Sequence, residues 1–284
     1  MTPDTSSPFG SFHPAGLYAR LLALSQGMPR NVFGQQLAGL ARDLYLWRAP
    51  LPADVEVDEL RLRCYLRDNT CERKFVFTPW RFDPRERAAL AEVLPADGSF
   101  IDIGANIGLY TLLAATTMCT AGRIVALEPY LPAYQRLCFN IAATRAGRTV
   151  WPRIDALQIG VAAGGQLHGL TIDPGNLGGG SIADGVARFS RAGAGQRIDI
   201  TCRPLLAILA DLKIGRVDAI KIDIEGAEDV ALCPFLAQAP AHLLPRRLVV
   251  ENSDHLWKAD LRAALEARGF SLRLRTRLNS VYAR

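Results

Sequence analysis

Phe100-Ile101-Asp102-Ile103-Gly104-Ala105-Asn106-Ile107-Gly108-Leu109-Tyr110 reads as a short buried strand that turns sharply into a helix. Ile101 and Ile103 alternate with small or polar neighbours, the period of a strand, and Leu109, Leu112, Leu113 and Met118 follow at roughly helical spacing. Gly104 and Gly108 relieve the turn of Cβ atoms, so its backbone can approach a ligand. The helix N-terminus just beyond has free N–H groups suited to an anion such as a carboxylate. A second apolar run, Ile124-Val125-Ala126-Leu127, ends in Glu128, twenty residues after Gly108. An acidic side chain on that strand end can take both hydroxyls of a ribose.

Glycine spacing chooses the ligand. A dinucleotide turn uses G-x-G-x-x-G, three glycines that admit a pyrophosphate. Asp102 stands where the first of them would be. A carboxylate repels a pyrophosphate at close range and attracts the ammonium of an amino acid. The seat of Asp102, Gly104, Ala105, Asn106, Gly108 and Glu128 therefore prefers S-adenosylmethionine, which presents an amino group, a carboxylate, a ribose and an adenine.

A third stretch, Ile220-Lys221-Ile222-Asp223-Ile224-Glu225-Gly226-Ala227-Glu228, completes a pattern with the segments FIDIGANIGLYTL and IVALEP. Together they resemble the FkbM family of S-adenosylmethionine-dependent methyltransferases, over roughly residues 75 to 284, with KIDIEGAE the most specific mark. The resemblance implies a Rossmann-like methyltransferase fold and methyl transfer to a hydroxyl oxygen of a sugar, glycan or secondary metabolite. Two departures stand out. After the third strand the family's Ala-Val-(Gly/Ser)-Asp becomes Gly160-Val161-Ala162-Ala163, so the adenine amine loses its expected acidic partner and would use backbone or Asp155, with Val161 close by. Before the fourth strand the frequent Thr-Leu-Asp is absent from the region Thr201 to Leu206.

The expected architecture is α/β, a Rossmann-like class I methyltransferase with a mostly parallel seven-stranded sheet, a C-terminal antiparallel hairpin and an N-terminal α+β cap. From residue 96 strands and helices alternate, which predicts strands at 99–103, 123–127, 156–161, 218–224 and 247–251, and a closing hairpin at 270–275 and 280–283. The first helix of this half should run to about Cys119. Residues 1 to 95 form the cap: a loose Ser/Pro/Thr-rich start over 1–13, two helices between Gly16 and Trp47 separated by Pro29, strands at 55–57, 60–64 and 75–77, and a short helix from Pro84. Residues 96 to 284 form the S-adenosylmethionine-binding domain. Between the third and fourth strands lie about fifty residues, long for a crossover. Gln166–Ile172 and Arg197–Cys202 suggest paired strands, and the glycine-rich run between them reads as a loop that could close over the acceptor, with Asn176 or Ser181 donating hydrogen bonds.

Methyl transfer to an oxygen needs alignment and a base. The candidates are Asp223 at the end of the fourth strand, Glu251 at the end of the fifth, and His255 just beyond, whose free pKa suits the task. Asp223 and Glu225 share one side of an extended strand with Lys221, whose burial calls for an ion pair with one of them. Glu225 is assigned to the acceptor side. Glu228 reads as a charge at the start of the next helix. Asp223, Glu251 and Asn252 form an oxygen-rich set that could bind Mg²⁺; a metal-free mechanism is preferred to it.

Bulk properties narrow the field. The net charge of +5 is spread over scattered arginines with no long basic block, so no nucleic-acid partner is expected. The six cysteines include no CxxC pair, which fits a reducing compartment. Neither a leader pattern nor a run of about 18 apolar residues is visible, so no membrane span is expected and a cytoplasmic location follows by default. The competing readings are a nicotinamide oxidoreductase, an RNA methyltransferase and a non-catalytic S-adenosylmethionine-binding protein.

Overall fold

The computed structural model describes residues 2–164, 167–173, 176–182 and 196–284, and for 167–173, 176–182 and 196–197 the backbone alone. In chain order, helices α1 (Gly16–Gln26) and α2 (Val32–Arg48) precede a hairpin of β1 (Ala53–Val57) and β2 (Leu60–Cys64), then α3 (Thr70–Phe77) and α4 (Pro84–Ala91). The alternating half follows as β3 (Ser99–Ile103), α5 (Leu109–Ala115), β4 (Arg123–Leu127), α6 (Leu131–Arg145) and β5 (Arg153–Leu157). Next come β6 (Gly160–Val161), β7 (Leu167–Asp173), β8 (Asn176–Ile182) and β9 (Gln196–Arg203). The chain ends with α7 (Leu205–Asp211), β10 (Ala219–Ile222), α8 (Glu228–Gln238), β11 (Arg247–Glu251), α9 (Leu261–Ala267), β12 (Ser271–Arg275) and β13 (Asn279–Ala283).

Seven strands make the central sheet in the order β12-β13-β11-β10-β3-β4-β5. The five from β11 to β5 are parallel, and the C-terminal hairpin joins antiparallel through β13. Strand order reverses between β3 and β10, and ligands of such sheets bind beyond the carboxyl ends at that switch point. Alternation along the strands sorts side chains to two cores. Ile101, Ile103, Val125, Ile220, Ile222, Leu248 and Val250 face α7, α8 and α9, whereas Phe100, Ile124, Ala219 and Val249 join a cluster that continues through α5 into Tyr45, Leu60, Leu62 and Phe75 of the N-terminal part. The N-terminal elements thus cover the second face of the sheet.

Five expectations change. Residues 75–77 belong to helix α3, because Asn69 caps it by accepting from the Glu72 N–H at 3.1 Å and Phe75, Val76 and Phe77 are all buried at once. The first residues are tied down rather than loose: Arg63, buried and paired with Asp54 at 2.7 Å, donates to the carbonyls of Asp4, Ser7 and Pro8. The third parallel strand is 153–157, not 156–161, with Arg123 pinning Asp155 at 2.9 Å while Gly160–Val161 pairs with β9 instead. The antiparallel β7–β9 pair forms as expected, but the glycine-rich run is the strand β8 rather than a loop, paired to β7. The helix α5 also stops at Ala115, short of Cys119.

Candidate functional site

At the end of β3 the chain crosses into the left-handed region at Gly104 (φ 74°), Asn106 (φ 51°) and Gly108 (φ 93°). The Gly104 and Ala105 N–H groups both donate to the Leu127 carbonyl, at 2.9 and 3.0 Å, which folds the turn over β4. Both glycines are also demanded by internal packing. A Cβ at 104 would lie 1.9 Å from the Asp223 carbonyl oxygen, and one at 108 would lie 2.6 Å from Leu137. Glu128 receives the Asn106 N–H at 2.8 Å on one oxygen and the Tyr130 N–H at 2.9 Å on the other. Its burial pushes the carboxyl up to about 7 against those two bonds. Asn106 also holds the N-terminal part, its side-chain oxygen accepting from Asn69 at 3.1 Å.

Asp102 is fully buried on the sheet face that Glu128 shares, since it pairs with Ala126 two residues before it. One oxygen, Oδ2, accepts from the Thr111 N–H at 3.0 Å and hydroxyl at 2.6 Å, which anchors the first turn of α5. The other, Oδ1, is buried with no hydrogen-bond partner among the described residues. Burial raises the Asp102 carboxyl, and Lys221 on the neighbouring strand is the largest opposing influence.

Beyond the ends of β10 and β11, oxygens of Asp223, Glu225 and Glu251 come within 4.8 Å of one another, all three half-buried. Lys221, 5 % exposed, pairs with Asp223 at 3.1 Å and sits 5.1 Å from the Tyr110 ring centre, so its buried charge has its expected partner. Burial first, then the Asp223 charge, pushes Glu225 up to about 8 and Glu251 up to about 10. Glu251 Oε2 is buried without a partner among the described residues. Glu225 holds φ 53°, a conformation that costs a non-glycine residue about 1–3 kcal/mol and that clusters at functional sites.

Other assigned residues fall elsewhere. Asn252 turns to the C-terminal hairpin, donating to the Thr276 carbonyl at 2.9 Å and accepting from Ser280 at 2.6 Å, so Glu225 and not Asn252 completes the oxygen cluster. His255 lies exposed on a short turn after β11 and is not one of the three clustered groups. Asp155 sits mid-strand in ion pairs with Arg123 and Arg153, away from the carboxyl edge where adenine would lie, because β5 begins earlier than its apolar run suggests. Val161 is buried in β6 beside Arg203, off the central sheet. The side chains of Asn176 and Ser181 lie outside the described residues. Glu228 opens α8 and reaches back to the Ile224 and Gly226 N–H groups, and across to Ser253 and the Trp257 indole at 2.8 Å. Sequence reasoning missed Tyr110, whose hydroxyl donates to Asp83 at 3.0 Å, because a tyrosine on an amphipathic helix reads as core.

The model of the methyltransferase FkbM domain matches residues 102–272, more than half of the chain. The chain belongs to the FkbM methyltransferase family. Similar proteins include the methyltransferase sdnD of Sordaria araneosa, 28% identical over 204 residues that cover 63% of this chain and 76% of that one. The antimetabolite synthetase AmbE of Pseudomonas aeruginosa is 28% identical over 196 residues, 57% of this chain, which spans only 9% of its length. Among solved structures, the precorrin-6y C5,15-methyltransferase of Geobacter metallireducens covers 70% of this chain and 86% of its own at 16% identity and a TM-score of 0.41. An O-methyltransferase of Bacillus cereus in complex with S-adenosylhomocysteine covers 71% and 81% at 12% identity and a TM-score of 0.40. Among the described residues no helix is long and apolar enough to cross a membrane. This FkbM chain is a methyltransferase; beside the turn after β3, Glu128 takes its two N–H bonds and Asp102 keeps a buried acceptor oxygen with no partner among the described residues.

Proposed function

We propose that the chain methylates a hydroxyl oxygen of a sugar, glycan or secondary metabolite. The observation that carries this reading is the carboxylate cluster of Asp223, Glu225 and Glu251, placed at the switch point beside the seat. S-adenosylmethionine supplies a methyl group on a sulfonium, open to in-line attack. Glu128 binds the ribose, the turn from Gly104 to Gly108 takes the amino-acid end with Ala105 and Asn106, and Asp102 fixes α5 beneath it. Asp223, held by Lys221 at 3.1 Å, takes the hydroxyl proton. Losing that proton would ready the acceptor oxygen for the methyl group that bound S-adenosylmethionine would supply, with S-adenosylhomocysteine as the product. Glu251 and Glu225 keep the base in a shielded acidic nest, and a positioned base contributes about 10²–10⁴-fold. The name of AmbE, an antimetabolite synthetase, supports an acceptor from secondary metabolism.

The test is S-adenosylhomocysteine release with a panel of hydroxylated and amino acceptors. Hydroxyl acceptors should turn over, and Asp223→Asn should lose at least about 100-fold in kcat while still binding S-adenosylhomocysteine. Turnover confined to amino or RNA acceptors would reject the oxygen assignment. Activity abolished by a chelator and restored by Mg²⁺ would give the three carboxylates to a metal instead.

A further inference from the structure

A second concavity lies between α2 and α3, with a volume of about 250 Å³, several times that of a liquid water at about 30 Å³. Arg42, Arg73, Lys74 and Arg81 line it with Thr70 and Thr78, and no carboxylate does. The cations are held in place. Arg73 donates to the Leu66 and Arg67 carbonyls at 3.1 and 3.0 Å and to the Thr70 hydroxyl at 2.7 Å. Arg81 meets the Gln35 amide oxygen at 2.6 Å once that amide is turned to satisfy both of its ends. No ion pair among the described residues engages Arg73 or Arg81, while Arg42 pairs only with exposed Asp43. Crowded like charges with one side open are stabilised by an anion.

The pocket is wired to the chemistry. Lys74, on its wall, pairs with Asp83 at 2.5 Å, and Asp83 accepts from Tyr110, whose ring underlies Lys221, the partner of Asp223. Cys71, next to the lining residue Thr70, is exposed. The backbone of β8 runs beside α3 as well. Through Lys74, Asp83, Tyr110 and Lys221 the basic pocket is thus linked to the carboxylate cluster.

We propose that the pocket between α2 and α3 binds an oxyanion carried by the acceptor, a phosphate or carboxylate group on the same molecule as the hydroxyl that is methylated. This rests on the methyltransferase reading above and narrows its substrate class to anionic small molecules such as sugar phosphates. Arginine forks match such oxyanions in two-point hydrogen bonds. A small pocket, rather than a long basic stripe, suits a single group better than a polynucleotide backbone.

The test titrates inorganic phosphate, and in a second arm citrate, into the full chain loaded with S-adenosylhomocysteine, read by calorimetry. Saturable binding of one of them is expected, weakened about tenfold or more by Arg42→Ala with Arg81→Ala, since charge-assisted bonds are lost. Cofactor affinity in that double variant should stay within about twofold, because neither residue touches the seat; circular dichroism and the single Arg81→Gln variant guard against misfolding. Preference for phosphate or for citrate assigns the oxyanion. Absence of saturable binding to either anion, or binding that survives the double substitution, overturns the proposal. So does tight, steeply salt-dependent RNA binding that the same substitutions abolish, which would give the pocket to a polynucleotide. Failure of the wild-type chain to bind S-adenosylhomocysteine would count against the methyltransferase reading alone.

Discussion

The ends of β3 and β4 carry buried carboxylates and the ends of β10 and β11 half-buried ones, and the two regions treat them differently. In the first region donors abound: Glu128 takes two backbone N–H groups and Asp102 takes two donors from Thr111 on a single oxygen. In the second, Asp223 has one lysine, Glu251 Oε2 has no partner among the described residues, and Glu225 makes no hydrogen bond to a described residue while holding a left-handed backbone. Buried polar groups are normally paired, so an unpaired set at a strand switch point marks where binding or chemistry supplies the missing partners. The first region is built by the fold; the second is held ready by it.

Glu228 gives the strongest way to break that contrast, because it lies in the same run as Glu225 but is fully buried and takes four donors. Glu228→Ala leaves those donors unmet and should cost about 3–5 kcal/mol in urea unfolding. A loss below about 1 kcal/mol would mean that satisfied and unsatisfied carboxylates do not differ in structural weight. Glu128→Ala should next weaken S-adenosylmethionine binding by about 1.5–3 kcal/mol, the worth of a charge-assisted hydrogen bond. Unchanged affinity by calorimetry would remove the ribose assignment.

The pH dependence sharpens the comparison from the other side. Glu251 and Glu225 titrate near 10 and 8 when folded, against 4.5 for a free glutamate, because burial and then Asp223 oppose their charge. Above pH 4.5 the unfolded chain has released protons that the folded chain retains, so stability is greatest below that value and falls as pH rises toward 8 and 10. Glu251→Gln removes one such proton and should flatten the decline by about 1–2 kcal/mol between pH 6 and 9, allowing for partial exposure. An unaltered slope would show that Glu251 is charged throughout.

Much of this was legible in the chain. The short apolar runs at 99–103, 123–127 and 247–251 fall on strands with those same bounds, because a strand buried on both faces leaves a short apolar block between turn residues. Asp102 and Glu128 share a face, as their strand positions require. The failures have physical causes too. Phe75-Val76-Phe77 favours a strand by composition, but a capping Asn69 six residues earlier and burial on all sides make it helix. The glycine-rich run reads as a loop, yet strand pairing with β7 depends on a partner distant in sequence. The third carboxylate of the cluster was hidden because Asn252, adjacent to Glu251, looks like a ligand until the C-terminal hairpin claims both ends of its amide.

The smallest expected effect asks whether strain at Glu225 serves function. At φ 53° a glutamate is disfavoured, and its neighbour Gly226 already bends the chain at φ 100°. A glycine at 225 would remove the left-handed penalty and one half-buried carboxyl whose charged form burial opposes, at the cost of a more flexible unfolded chain. Glu225→Gly should therefore gain up to about 1 kcal/mol in stability. If the strained glutamate exists to meet the acceptor, the same change should lower turnover while leaving S-adenosylhomocysteine affinity intact. A variant both more stable and fully active would make Glu225 a bystander, and would leave Asp223 and Glu251 alone to hold the proton.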